Sequence, residues 1–220
     1  MWSANQGGCS GTKSKQGRDV TDRGAHWFRC DLQVHTPRDQ NWHGNNFVSA
    51  EDRRAYAARL VRECRERGLQ GIAITDHHDM AFVEYVRAAA ADETNEQGIT
   101  LPENERLVVF PGMELTLGVP CQALLLFDAT FPSDLFSLAI TALAISPSPD
   151  TESKIAQVIR LNGVQSLRAL KQKLDEHTYL RDRYIILPNV GENGQFSLIR
   201  KGAAGKYKKC HVSVDTSMVI

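Results

Sequence analysis

The chain has no C-x-x-C pair. Its five cysteines, at positions 9, 30, 64, 121 and 210, are odd in number and widely spaced. That pattern argues against a disulfide framework and a thiolate zinc site, and it suits a reducing interior. No stretch approaches the roughly 18 consecutive apolar residues of a membrane span. The N-terminus lacks the apolar core of a secretory signal, so the cytoplasm is the default and no membrane partner is expected. An excess of charge is missing too: Lys+Arg and Asp+Glu both number 26. Net charge therefore gives no sign of a nucleic-acid partner, although a local basic patch stays open.

What is present is enough for one core, with 220 residues of which 42% are hydrophobic. Residues 1–25 are rich in Gly, Ser, Lys and Gln and read as a mobile leader; 26–200 read as the folded domain and 201–220 as an irregular tail. The tail closes no βα unit, so the chain looks cut short. GGCSGTKS at 7–14 resembles a phosphate-binding loop, but Gly11 is followed by Thr12 and no strand precedes it.

Hydrophobic periodicity predicts a strand at 26–36, then a Ser49-capped helix in which Tyr56, Leu60 and Cys64 recur at i, i+4, i+8 before Gly68. QGIAIT (70–75) reads as a strand buried on both faces, 81–93 as a helix, and 107–117 and 121–127 as strands. A helix with a Ser cap follows at 133–145, then a loop at 146–153, helical pieces within 154–176 and a further buried strand, YIILP, at 184–188. The order β-α-β-α-β-β-α-α-β predicts an α/β protein with helices around a largely parallel sheet or barrel.

In such folds the working groups sit at the C-terminal ends of strands. Gln33 and His35, one strand period apart, present a pair of side chains on one face at the end of the first strand, followed by Asp39. The second strand runs into Asp76-His77-His78-Asp79, and LVVF runs into Pro111-Gly112-Met113-Glu114. Cys121-Gln122 open the fourth strand, and Pro188-Asn189 follow YIIL. Each has a bland reading alone: a hydrogen-bonded loop histidine, a helix cap at Asp76, a surface carboxylate at Glu114. Jointly, histidine and carboxylate at three successive strand ends are what a divalent metal site requires. His26, His43, His177 and His211 lack partners in the pattern.

DLQVHT (31–36), ITDHH (74–78) and FPGMEL (110–115) resemble the three leading motifs of the polymerase and histidinol phosphatase (PHP) family. CDLQVHTPRD, FPGMELTLGVPCQALLLF and ILPNVGENG are most similar to a subgroup whose PHP module precedes a large SMC-like or AAA-like ATPase, linked to DNA repair or phage defence. The resemblance implies a distorted (β/α)7 barrel, incomplete or truncated at its C-terminus here. It implies hydrolysis of phosphoesters, small or in DNA, with Zn²⁺, Mn²⁺ or Fe ions, and an ATPase domain or subunit as partner. By motif, His35 ligates one metal, His77 another, and Glu114 bridges two; these three would be catalytic. Asp39 is a further ligand if the family's aspartate aligns there and not at Gln40. Asp76 and His78 would orient the ligands.

Three of the histidines that the resemblance implies are replaced. Gln33, Gln122 and Asn189 stand in their places, each with a neutral carbonyl oxygen. One reading is retuning: oxygen ligands shift preference from Zn²⁺ towards Mn²⁺ or Mg²⁺. The other is loss of metal, leaving a module that binds a nucleotide, a nucleic-acid end or its own partner. Bound metal would activate water and offset phosphoryl charge, so no Ser or Cys nucleophile is needed. Cys121 reads as a buried structural thiol. The arginines of 51–67 and Lys206, Lys208 and Lys209 could touch phosphates. Against that, Glu51, Asp52, Glu63 and Glu66 on the same helix favour a self-paired, solvated face.

Overall fold

The computed structural model describes residues 26–45, 47, 49–147, 160–190 and 197. The leader, the tail and residues 148–159 and 191–196 lie outside the described residues, and with them most of the loop expected at 146–153, the first helical piece expected after 154, the loop-like motif at 7–14 and the three tail lysines.

The elements are β1 (Cys30–Val34), α1 (Ala50–Glu66), β2 (Gly71–Ile74), α2 (Val83–Ala91), β3 (Val108–Thr116), β4 (Gln122–Phe127), α3 (Phe136–Ala142), α4 (Leu167–Asp175) and β5 (Tyr184–Pro188). Five strands form one curled, half-barrel sheet in the order β1-β2-β3-β4-β5. The first two pairings are parallel and the last two antiparallel. The sheet is therefore mixed, where the sequence suggested a largely parallel one. Between β3 and β4 only residues 117–121 intervene, too few for the crossover that a parallel neighbour needs.

β3 makes the change of direction. Residues 108–111 pair with β2, and Gly112 to Thr116 pair with β4. Gly112 sits at the handover. A Cβ there would lie 2.8 Å from Leu125 O and from Leu126 Cδ2, so only glycine lets the strands approach.

Local chemistry sets the helix ends. Ser49 Oγ accepts the Asp52 N–H at 3.1 Å, capping α1, and Gly68 ends the turn with φ +72°. α1 turns Tyr56, Ala57, Val61 and Cys64 into the core, where they meet β2, wholly buried, and α2. Ser166 caps α4 in the same way, accepting from Ala169 N–H. The segment expected as one capped helix at 133–145 is instead a 3₁₀ turn at 133–135 followed by α3, with no side-chain cap bond. β5 is also not the buried strand expected. Among the described residues it pairs only with β4, at the edge of the sheet, and Ile185 is 54% exposed.

Candidate metal site

Three loop and strand segments converge on one carboxylate pair. His35 follows β1 and His77 follows β2. Glu114 lies within β3, where β3 outruns β2 and forms a parallel bridge with His77. The placement of Glu114 differs from the strand end expected for it. The backbone locks the register: Glu114 N–H donates to Asp76 O, and His78 N–H to Glu114 O, both at 3.2 Å.

Ligand atoms of His35, His77 and Glu114 all lie within 4.8 Å of one another, and so do those of His35, Asp39 and Asp76. His35 Nε2 is 3.2 Å and His77 Nε2 3.7 Å from Glu114 Oε2. Asp39 Oδ2 faces His35 Nδ1 at 3.0 Å and His77 Nδ1 at 2.8 Å, and accepts the His77 backbone N–H at 2.8 Å. Asp39, His77 and Glu114 are buried, while the His35 side chain is 31% exposed. Access to the cluster is therefore from the His35 side.

The two glutamines flank this group. Gln33, at the irregularity in the β1–β2 register, donates Nε2 to Glu114 Oε2 at 2.9 Å. Gln122 places its amide 3.2 Å from His77 Nε2 and 3.5 Å from Thr116 Oγ1. Asn189 stands beside Gln122, its N–H donating to Gln122 O at 2.9 Å.

Electrostatics follow from this crowding. Burial works against a charge on His35, but the bonds to Asp39 and Glu114 outweigh it and lift its pKa to about 10. Burial likewise opposes charge on Asp39 and Glu114, yet the histidine contacts hold both below the usual carboxylate range. Both ring nitrogens of His35 thus face carboxylate oxygens.

Asp76 was expected to orient ligands. It is fully buried and accepts from Thr36 N–H and Thr36 Oγ1–H, both at 2.6 Å. Burial raises its pKa to about 7 despite those bonds, with the charges of Asp39 and Asp79 adding to the rise. His78 adopts φ +55° and accepts the Thr116 N–H on Nε2 at 3.0 Å. Burial, followed by the neighbouring His77, lowers its pKa to about 4.

Sequence reasoning missed Thr36 and Arg38. Thr36 stood inside the first motif without a role. Arg38 is 1% exposed and pairs with Asp79 at 2.8 Å, tying the loop after β1 to the loop after β2. Cys121 is a buried thiol in the hydrophobic core. On α1, Arg59 pairs with Glu63 and Arg65 with Glu93. No helix of the described residues is long and apolar enough to cross a membrane.

The donor set suits a divalent cation: two imidazoles, two or three carboxylates, and amides that can present oxygen. The NH₂ of Gln33 faces Glu114 here, and rotation of the amide would exchange it for the carbonyl oxygen.

No protein-family model matches the chain, and no curated protein matches its sequence. Among solved structures it is similar to a candidate metal-dependent phosphoesterase from Bifidobacterium adolescentis, at 19% identity and a TM-score of 0.29, over 53% of this chain and 35% of that one. It is also similar to the lesion-specific endonuclease PfuEndoQ from Pyrococcus furiosus, at 15% identity and a TM-score of 0.44, over 82% of this chain and 39% of that one. The chain spans under two-fifths of the length of each.

Proposed function

We propose that residues 26–200 form a PHP-like, metal-dependent phosphoesterase or nuclease module. The observation that carries this reading is the convergence of His35, His77 and Glu114 within 4.8 Å, with Asp39 bonded to both histidines. His35, His77 and Glu114 would hold the cation, with Asp39 on the opposite edge of both rings and Gln33, Gln122 and Asn189 as sources of carbonyl oxygen. The oxygen-rich set favours Mn²⁺ or Mg²⁺, with Zn²⁺ as the other candidate. When bound, the metal supplies Lewis acidity for activating water and offsetting phosphoryl charge.

The chain's own residues supply position. Asp39 fixes the ring orientation of both histidines, Thr36 fixes Asp76, and the Arg38–Asp79 pair holds their two loops together. The exposed edge of His35 is where a phosphoester would enter. DNA as the substrate, an SMC-like or AAA-like ATPase partner and a role in repair or phage defence belong to the same proposal and rest on the sequence resemblance.

A second reading has its own observation. Gln33 donates to Glu114 at 2.9 Å and the Gln122 amide lies 3.2 Å from His77 Nε2, so the two amides can satisfy these groups themselves. On that reading the domain is catalytically degenerate and binds a nucleotide, a nucleic-acid end or a partner. The test is hydrolysis of a chromogenic phosphodiester and of duplex DNA with added Mn²⁺ or Mg²⁺, beside a His77→Ala, Glu114→Ala variant. Metal-dependent turnover that the variant lacks supports the enzyme. Equal, background rates in both proteins leave the binding module.

A further inference from the structure

A second cavity, of about 220 Å³, is lined by His78, the turn at 143–146 after α3, the segment 160–164 and Lys173 of α4. Its chemistry is the reverse of the histidine–carboxylate cluster. No acidic residue lines it, while two cations do, Arg160 and Lys173. Among the described residues neither cation has an ion-pair partner.

His78 supplies the second observation. The ring is 4% exposed. Its Nε2 accepts the Thr116 N–H, so the proton of the neutral ring sits on Nδ1. That Nδ1 is buried with no hydrogen-bond partner among the described residues. An orphaned buried donor is unfavourable and asks for an acceptor.

We infer that this cavity is a separate anion site, taking a phosphate or phosphate-monoester group between Lys173 and Arg160, with His78 Nδ1–H as a neutral third donor. A metal ion does not fit the same walls, because they carry no carboxylate and the free nitrogen of His78 bears its proton. The volume holds several waters at about 30 Å³ each, enough for a phosphate group with part of its hydration. Nδ1 is shielded from solvent, so the anion reaches it by displacing the adjoining turn. In that turn Ala144 already sits in the left-handed region with φ +59°. The site adjoins the cluster by one peptide, since His78 N–H donates to Glu114 O.

The test uses the full chain, stripped of metal by chelator, with ¹⁵N-labelled histidine, titrated with inorganic phosphate and, in a second arm, with a 5′-phosphorylated mononucleotide. Saturable binding that moves the His78 Nδ1 resonance, and that weakens about tenfold or more in Lys173→Gln and in Arg160→Gln, is the expected result. Arg62→Gln removes the same charge from α1 and should leave it unchanged. Tighter binding of the nucleotide than of phosphate would identify a phosphoester group as the natural occupant, and equal binding the free anion. No saturation by about 20 mM phosphate, or equal weakening in Arg62→Gln, overturns the site, as would binding that appears only with added metal. These readouts need no hydrolysis, so the cavity can fail while the phosphoesterase reading stands, and the reverse.

Discussion

His35 and His77 lie stacked, with ring centroids 5.2 Å apart and planes 13° from parallel, and the same Asp39 oxygen faces Nδ1 of both. One carboxylate therefore sets two rings whose other nitrogens turn towards Glu114. This is the arrangement by which a third residue orients a pair of ligands.

Removing that shared acceptor should be costly. Asp39→Ala strips four hydrogen bonds, two from imidazoles and two from the backbone N–H groups of His77 and Asn41. The loss should be about 3 kcal/mol of folding stability, as for breaking a buried charged pair. Urea denaturation measures it, and a loss below about 0.5 kcal/mol, the scale of ordinary surface substitutions, would show that Asp39 does not organise the loop.

The hydroxyl of Thr36 donates to buried Asp76 at 2.6 Å. Thr36→Val keeps the volume and removes that donor, so stability should fall by about 2 kcal/mol. Thr36→Ser retains the hydroxyl and should recover most of it. Equal stability of the Val and Ser variants would place the holding force in the backbone bond alone.

Most of the fold was legible in the sequence, and the reasons are particular. GIAI between polar turns and the Ser49 cap before a 3.6-residue pattern are local signals, and the helices and strands of the described residues appear in the order that they imply. The sheet's change from parallel to antiparallel was also written there, in the five residues between β3 and β4, but strand composition points the other way. The edge position of β5 was not legible, because YIILP reads the same in a central strand. At the site, His35, His77 and Glu114 stood out as residue types at strand ends. The bonds from His77 to Asp39 and the burial of Arg38 and Thr36 depend on two loops meeting, which no single stretch of sequence records.

Restoring imidazole at the flanking positions tests what the glutamines do. Gln33 and Gln122 reach Glu114 and His77 respectively, so Gln33→His with Gln122→His should add nitrogen ligands. Zn²⁺ affinity should rise about tenfold or more over the unaltered chain, since imidazole suits Zn²⁺ better than an amide oxygen does. Competition against a chromogenic chelator reads this directly. Unchanged affinity would mean that neither position faces the cation.

Away from the site, Arg183 grips Asp128 through two bonds, at 2.8 and 3.2 Å. The Arg183 bond is the main cause holding the Asp128 carboxyl below its ordinary value of 3.8, so the pair's contribution is present above that value. It is lost as pH falls through the lower, folded-state value. With both side chains about a third exposed, the contribution should stay under about 1 kcal/mol. Urea unfolding of Asp128→Asn beside the unaltered chain should show a gap at pH 7 that narrows towards pH 3. A gap that is constant with pH would assign it to packing.

The central claim is that His35, His77 and Glu114, oriented by Asp39, hold a divalent cation. The direct measurement is metal stoichiometry by mass spectrometry on the chain purified without chelator and supplied with Mn²⁺, beside His77→Ala, Glu114→Ala. One or more ions per chain, absent from a variant that remains folded by circular dichroism, is the predicted result. A metal-free chain, or equal metal in both proteins, would contradict it.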